Sequence, residues 1–392
     1  MIYRVGLYDP AFRLEGHFVS FNRYLVELMA TDNIEVVLLD THGDMARAYG
    51  TSLPASYQML PQAIPSKVPG VLGRVLSRYF YWKKTYRSFK ENGLDLVIYT
   101  ADPRDILMCY ITQSIPYGTI IMYPYSYVDR KQRGLMGWVN GYIYKRFVSR
   151  AAIRITTNEP PLKKDIEKAL SVTDIQWIPD MPTYFSPQSH KEKDIPFLTI
   201  GTISRSKNHL FAINSFEAAQ LPYTYVIAGK PLDEVGMEVK RRVESSRYSL
   251  QGNFTYLDDT SYKSYFERAQ FLLFPYDFTR GNISSQVLHD AFSFELPFIA
   301  PAIQPFKWYV EKYGIGLLYE EGNDKAFADA LTLAMERGPE EFQKGFGQIR
   351  QIHSLACIKQ SFLPKLYECL EKGRQESPAL SVPRYTKQDS DA

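Results

Sequence analysis

The stretch FLTIGTISRSKNHLFAINSFEAAQLPYTYVIAGKP, residues 197–231, carries the pattern that decides the fold. A short apolar run ends at Gly201, and a polar loop with the cations Arg205 and Lys207 follows it. Apolar side chains then recur at helical spacing, and a second apolar run ends at Gly229. This order of strand, loop, helix and strand predicts two parallel strands joined by a helix.

The same alternation extends in both directions along the chain. Further short apolar runs predict strands at YRVGLY, IEVVLLD, DLVIYT and GTIIMY before this stretch, and at NFTYL, FLLFPY, LPFIAP and GIGLLY after it. Residues 41–66 read as irregular, and the polar, proline-bounded residues 186–196 are the predicted linker. We therefore expect an α/β protein with two Rossmann-like domains facing a cleft, the first over residues 1–185 and the second over residues 196–350.

Composition fits a globular protein. The 392 residues are 45% hydrophobic and 23% charged, with a formal net charge of +3. Three scattered cysteines, Cys109, Cys357 and Cys369, offer no disulfide framework, and no apolar run approaches the ~18 residues of a membrane span. The N-terminus is too short and polar for a signal peptide, so we expect a cytoplasmic location.

The loop after residue 200 has the chemistry of an anion site. Gly201 lets the backbone turn sharply, and a helix predicted to begin near Asn208 or His209 offers free N–H groups beside the Lys207 charge. This combination suits a phosphate or diphosphate. An ordinary turn with solvated cations is the alternative that this loop alone leaves open.

A second loop, in FLLFPYDFTRGNISSQVLHDAFSFELPFIA, residues 271–300, follows the same plan. Ser284 or Ser285 is the predicted N-cap of its helix. Asp290 lies about one and a half turns further on, where a carboxylate could accept hydrogen bonds from ribose hydroxyls. The alternative is that Asp290 is a solvated acid on the helix surface.

Several segments, in this order, resemble the retaining glycosyltransferase family 4 group of the GT-B glycosyltransferases. They are IPDMPTYFSP, TIGTISRSKNHLFAINSFEAA, YVIAGKP and SSQVLHDAFSFELPFIAPAIQPFKWYVEKYGIGLLY, which together cover roughly residues 175–320. The resemblance implies GT-B architecture. It also implies that a C-terminal helix over residues 351–372 returns to the first domain, and we expect residues 373–392 to be a disordered tail.

The resemblance assigns roles residue by residue. Lys207 stands at the phosphate-binding lysine, Thr202 replaces the family arginine, and Arg205 is expected to supply that charge. Asn282 and Asp290 stand at the paired glutamates, as contacts to the donor sugar and the ribose. The predicted catalytic residues are Lys207, Arg205 and His17, and the predicted donor contacts are Gly16, Gly201, Thr202, Gly229, Arg280, Asn282, Ser284, Ser285 and Asp290.

By resemblance, the reaction moves a sugar from a nucleotide-sugar donor to a glycan or lipid-linked acceptor in cell-surface polysaccharide synthesis, with retention at the anomeric carbon. His17, in the first domain, could be a base, an acceptor contact or a surface residue. We expect no metal, because no DxD pair follows a strand, and no cofactor, since the nucleotide-sugar donor is a substrate. A non-catalytic GT-B partner protein and, less favoured, a nucleotide-sugar epimerase are the alternatives.

Two basic stretches in the first domain lack acids. Residues 67–90 contain seven Lys or Arg, residues 130–150 contain six, and aromatic side chains are interspersed among them. This composition favours peripheral contact with an anionic membrane, here the inner face of the cell membrane. Nucleic acid is the rival partner, but no nucleic-acid motif accompanies the charge. Buried aromatics with solvated cations would give the same pattern.

Overall fold

The computed structural model describes residues 2–9, 12, 17–60, 70–99, 119–122, 145, 153–156, 160–179, 192–277 and 285–376. The chain forms two compact units. The first comprises Met1–Thr157, Lys163–Asp180 and Ile358–Ala392, and the second comprises Asn158–Leu162 and Met181–Cys357.

The first unit is built on a parallel sheet in the order β3-β2-β1-β4-β5-β6-β7. Its strands are β1 (Tyr3–Tyr8), β2 (Ile34–Asp40), β3 (Ala55–Met59), β4 (Leu96–Tyr99), β5 (Thr119–Met122), β6 (Ile153–Thr156) and β7 (Ile175–Trp177). The helices described along this part of the chain are α1 (His17–Met29), α2 (Asp44–Tyr49), α3 (Gly70–Glu91) and α4 (Pro160–Leu170).

The second unit repeats this plan, with a parallel sheet in the order β10-β9-β8-β11-β12-β13. Its strands are β8 (Ile195–Ile200), β9 (Tyr225–Ala228), β10 (Leu250–Asn253), β11 (Ala269–Leu273), β12 (Phe298–Pro301) and β13 (Gly316–Tyr319). Its helices are α5 (His209–Ala218), α6 (Glu234–Ser245), α7 (Asp259–Arg268), α8 (Gln286–Ser293), α9 (Phe306–Tyr313), α10 (Asp324–Arg337) and α11 (Gln343–Ile352).

Hydrophobic burial on both faces holds the second sheet in place. Successive residues of β8 point to opposite faces, so Phe197 joins one apolar cluster and Leu198 joins the other. β11 divides its residues in the same way, with Phe271 on the first face and Leu272 on the second. A parallel strand covered by helices on both faces is apolar at nearly every position, which explains the near-continuous runs in the sequence.

The last helix, α12 (Leu355–Glu376), contributes residues 358–376 to the first unit. Tyr367 shares a 2.7 Å hydrogen bond with Thr31, and its ring lies 6.2 Å from that of Tyr3. The helix extends past residue 373, where the sequence predicted a tail, and residues 377–392 lie outside the described residues.

Two local predictions are wrong. Residues 41–66, read as irregular, contain α2 and β3, and β3 has the polar composition of a half-exposed strand. The run NFTYL, read as a strand, lies largely beyond β10, which ends at Asn253. Pairing of Leu250 with Tyr225 sets the position of this edge strand more strongly than local composition does. Of the helices that the structure describes, none has the length and apolar character needed to cross a bilayer.

Candidate functional site

The candidate site in the second unit includes a close backbone contact between the loop after β8 and the loop after β9. Gly201 follows β8 with φ +104°, and Gly229 follows β9 with φ +143°. A Cβ on Gly229 would lie 1.8 Å from the carbonyl oxygen of Gly201. No side chain fits there, so glycine at this position is required by packing as well as by the backbone angle. This close approach holds the two loops together at the carboxyl edge of the parallel sheet.

Hydrogen bonds fix the loop that carries the two cations. The backbone N–H of Ile203 donates to the carbonyl of Lys230 at 3.0 Å, and the Asp233 carboxylate accepts from the backbone N–H of Arg205 at 3.0 Å. Asp233 also caps α6 by accepting from Gly236 at 2.8 Å. These backbone donors, Arg205 first, lower the pKa of Asp233. The result is a short 3₁₀ turn, residues 205–207, in a defined place.

Lys207 is the cation that the fold positions. Its ammonium donates a hydrogen bond to the Tyr276 hydroxyl and lies 4.0 Å from the centroid of the Tyr276 ring. The Tyr276 hydroxyl lies 3.2 Å from Oγ of Ser285. Tyr276 and Ser285 are buried, whereas Lys207 is half-buried and Arg205 is exposed. The Tyr276 side chain thus connects the loop after β8 to the beginning of α8.

Ser285 occupies the N-cap position of α8, one of the two positions that the sequence indicated. Its hydroxyl makes no capping hydrogen bond and contacts Tyr276 instead. The first turn of α8 therefore keeps backbone N–H groups available, with a positive dipole end close to the Lys207 charge. Such a combination attracts a phosphate.

Asp290, on the second turn of α8, is a half-buried carboxylate. Its Oδ2 accepts a 2.7 Å hydrogen bond from the Tyr262 hydroxyl of α7. Burial raises the pKa of Asp290, while hydrogen bonds from the side chains of Tyr262 and then Gln286 act in the opposite direction. Burial also raises the pKa of Tyr262 well above its ordinary value.

The remaining predicted residues divide into two groups. Thr202 is exposed on the loop after β8, next to Gly201. Gly16, Arg280, Asn282 and Ser284 lie outside the described residues, as does the side chain of His17, whose backbone opens α1. Sequence reasoning missed Tyr276 and Tyr262. The only signal for Tyr276 was a tyrosine directly after the apolar run FLLFP.

Metal ligands do not gather at this edge. Within residues 192–277 and 285–376, and in the other described ranges, no three His, Cys, Asp or Glu side chains are grouped so that they could hold a metal ion. Asp258 and Asp259 stand at the beginning of α7, where Asp258 caps the helix by accepting from Ser261 at 2.7 Å.

Comparison with known proteins identifies the domain. Residues 180–349 match the family model described as Glycosyl transferases group 1. A search of curated protein sequences gives no match.

Solved structures resemble the chain over nearly its whole length. Sucrose-phosphate synthase from Thermosynechococcus elongatus is 17% identical with a TM-score of 0.68, over 94% of this chain and 99% of that one. Anabaena Alr3699/HepE in complex with UDP is 13% identical with a TM-score of 0.69, over 94% and 100%. The lipopolysaccharide outer core galactosyltransferase WaaB is 15% identical with a TM-score of 0.64, over 94% and 99%.

The two parallel-sheet units have the fold of these GT-B glycosyltransferase structures, as the sequence predicted. Residues 180–349 are similar to a Glycosyl transferases group 1 domain, in line with the resemblance of those segments in the sequence. Assignment to family 4 is compatible with these findings and stays a prediction.

Proposed function

We propose that the chain transfers a sugar, with retention and without a metal, from a nucleotide-sugar to a glycan or lipid-linked acceptor in cell-surface polysaccharide synthesis. The observation that carries this proposal is the placement of the half-buried Lys207 ammonium against Tyr276 and Ser285 at the beginning of α8. A leaving nucleoside diphosphate gains negative charge as the anomeric bond breaks, and these groups would stabilise that charge.

The roles follow from the geometry. Lys207 and the first turn of α8 would hold the diphosphate, and the exposed Arg205 would add charge from the solvent side. Asp290 would accept hydrogen bonds from the ribose. The backbone at Gly201 and Gly229, which carries no Cβ, would allow the donor to approach closely. Retention requires no protein nucleophile in this scheme, in keeping with the family resemblance.

The test is thermal-shift binding of UDP, GDP, ADP, CMP and dTDP to the wild type and to Lys207→Ala. Lys325→Ala, an exposed lysine of α10, is the matched control. A ligand that binds only the folded chain raises the melting temperature. We expect one nucleoside diphosphate to stabilise the wild type and Lys325→Ala but not Lys207→Ala. A shift of equal size in all three proteins would contradict the role of Lys207. No shift in the wild type would contradict the donor site.

Helix α3 supports the membrane part of the proposal. Phe80, Lys83, Lys84 and Arg87 follow helical spacing and are all exposed. Trp82 and Phe89 are buried, whereas Phe80 is exposed. Three cations beside one apolar ring suit an anionic lipid surface. The second basic stretch, residues 130–150, lies outside the described residues apart from Lys145.

Vesicle sedimentation tests this surface. We expect the wild type to bind vesicles containing phosphatidylglycerol and not those of phosphatidylcholine alone. The double variant Lys83→Glu/Lys84→Glu should bind at least about tenfold more weakly, at ~1 kcal/mol for each removed cation. The control Lys164→Glu/Lys168→Glu changes two exposed lysines of α4. Equal loss of binding in both double variants would indicate an effect of net charge and would refute a specific α3 surface.

A further inference from the structure

The hydrogen bond between α7 and α8 points to a residue that selects the sugar of the nucleotide. We propose that Tyr262 is a positioning residue that aligns Asp290 with the ribose hydroxyls, so that the enzyme takes ribonucleoside diphosphate sugars and discriminates against deoxyribonucleotide donors such as those of dTDP. This inference rests on the proposed function, because it deepens the assignment of Asp290.

Tyr262 is fixed before any ligand arrives. Its backbone N–H donates to the carbonyl of Asp258 at 2.8 Å, in the first turn of α7. Its ring centroid lies 5.1 Å from that of Phe266, which in turn stacks 5.0 Å from Phe294. The phenol therefore has a set position, and its hydroxyl reaches the carboxylate at 2.7 Å.

The direction of this hydrogen bond is determined by the chemistry of the two groups. An ionised carboxylate can only accept, so Tyr262 donates. Burial raises the pKa of the phenol well above its ordinary value, which keeps the donor protonated. The same bond opposes the effect of burial on Asp290 and favours its ionised form. Tyr262 thus maintains both the charge and the orientation of Asp290.

A carboxylate held in this way retains capacity for further donors. It offers about four lone-pair positions, of which Tyr262 occupies one on Oδ2 and the Gln286 side chain another. The vicinal hydroxyls of a ribose supply two donors on adjacent carbons, which a carboxylate can accept together. A 2′-deoxyribose supplies one. The energy of a charge-assisted hydrogen bond then separates the two sugars, and its size depends on how well Asp290 is aligned.

The experiment compares the affinities of UDP, GDP and ADP with those of their 2′-deoxy counterparts by titration calorimetry. The proteins are the wild type, Tyr262→Phe and the control Tyr265→Phe. Tyr265 lies on the same helix, and its hydroxyl accepts from Asn253 at 3.2 Å. We expect the wild type to bind the ribonucleotide at least about tenfold more tightly than the deoxynucleotide.

In Tyr262→Phe we expect this ratio to fall toward one, because the ribonucleotide loses two aligned contacts to Asp290 and the deoxynucleotide only one, while Tyr265→Phe keeps the full ratio. A parallel loss of both affinities would assign Tyr262 a merely structural role and overturn the inference, as would an unchanged ratio. Wild-type binding without preference for ribose would also overturn it, although the donor site would stand. Absence of all nucleotide binding would refute the proposed function itself.

Discussion

Replacing Gly229 with alanine tests the contact on which the candidate site is built. The added Cβ would lie 1.8 Å from the Gly201 carbonyl oxygen and 2.7 Å from its carbon, whereas ordinary contacts begin at 3.4 Å. Both partners are backbone atoms, so no flexible side chain can move aside. The loop after β8 or the loop after β9 must shift by more than about 1 Å, which breaks well-aligned hydrogen bonds.

The expected cost has two parts. A non-glycine residue at positive φ costs ~1–2 kcal/mol. The displacement also threatens the hydrogen bonds from Ile203 to Lys230 and from Leu232 to Ile203, at ~1 kcal/mol each. We therefore expect Gly229→Ala to lower the free energy of unfolding by about 3–4 kcal/mol, a large share of the ~5–15 kcal/mol typical of native proteins.

Gly322→Ala is the matched control. Gly322 has φ +75°, and a Cβ there would meet nothing within 4 Å, so only the backbone part, ~1–2 kcal/mol, applies. Urea unfolding gives the free-energy difference, and hydrogen exchange of residues 197–210 reports whether the loop with Lys207 opens. Equal unfolding free energies in the two variants, with no added exchange in Gly229→Ala, would refute the steric reasoning.

Three further predictions concern the same unit. Tyr276→Phe removes the hydroxyl to which Lys207 donates but keeps the ring, so urea unfolding should reveal a loss of ~1 kcal/mol; an unchanged midpoint would contradict this. Asp233→Ala removes the cap of α6 and the acceptor for Arg205, and should cost ~1–2 kcal/mol in the same assay; a loss below about 0.3 kcal/mol would count against it. Burial, and after it the charge of Lys207, lowers the pKa of His209 to about 3. Below pH ~6.5 the unfolded chain therefore binds a proton that the folded chain does not. The free energy of unfolding then decreases by up to ~1.4 kcal/mol for each unit by which the pH is lowered. Over pH 5–7 His209→Leu should flatten the decline in unfolding free energy, and an unaltered slope would refute a buried neutral histidine.

The sequence predicted those parts of the fold that local patterns control. The apolar runs at β8, β9, β11 and β12 are buried on both faces and bounded by glycine, proline or polar residues, so their type and order could be read directly. No residue of β3 is fully buried and two of the four residues of β10 are exposed, so their strand character comes from pairing with a neighbour. Such edge strands leave little local signal.

The residues of the candidate site also separate into those with a local sequence signal and those without one. Lys207, Gly201 and Gly229 could be identified because a glycine after a strand and a cation before a helix are local features. Tyr276 and Tyr262 could not, because their partners are distant in sequence: Lys207 is 69 residues from Tyr276, and Asp290 is 28 residues from Tyr262. No local pattern distinguishes either one from an ordinary core tyrosine.

These two tyrosines explain how the chain can use the polar residues that it has. Thr202 lacks the charge of the family arginine, so in the proposed site Lys207 and the exposed Arg205 would share the diphosphate charge. A flexible lysine would do this well only when its ammonium is held in place. Tyr276 supplies that constraint from the neighbouring strand end. Asp290 is shorter than the glutamate expected from the family pattern, and Tyr262 fixes it from the neighbouring helix. Each departure from the pattern is therefore accompanied by a phenol, buried at Tyr276 and partly buried at Tyr262, that restricts a charged side chain. The variants Tyr276→Phe and Tyr262→Phe test the two halves of that compensation separately.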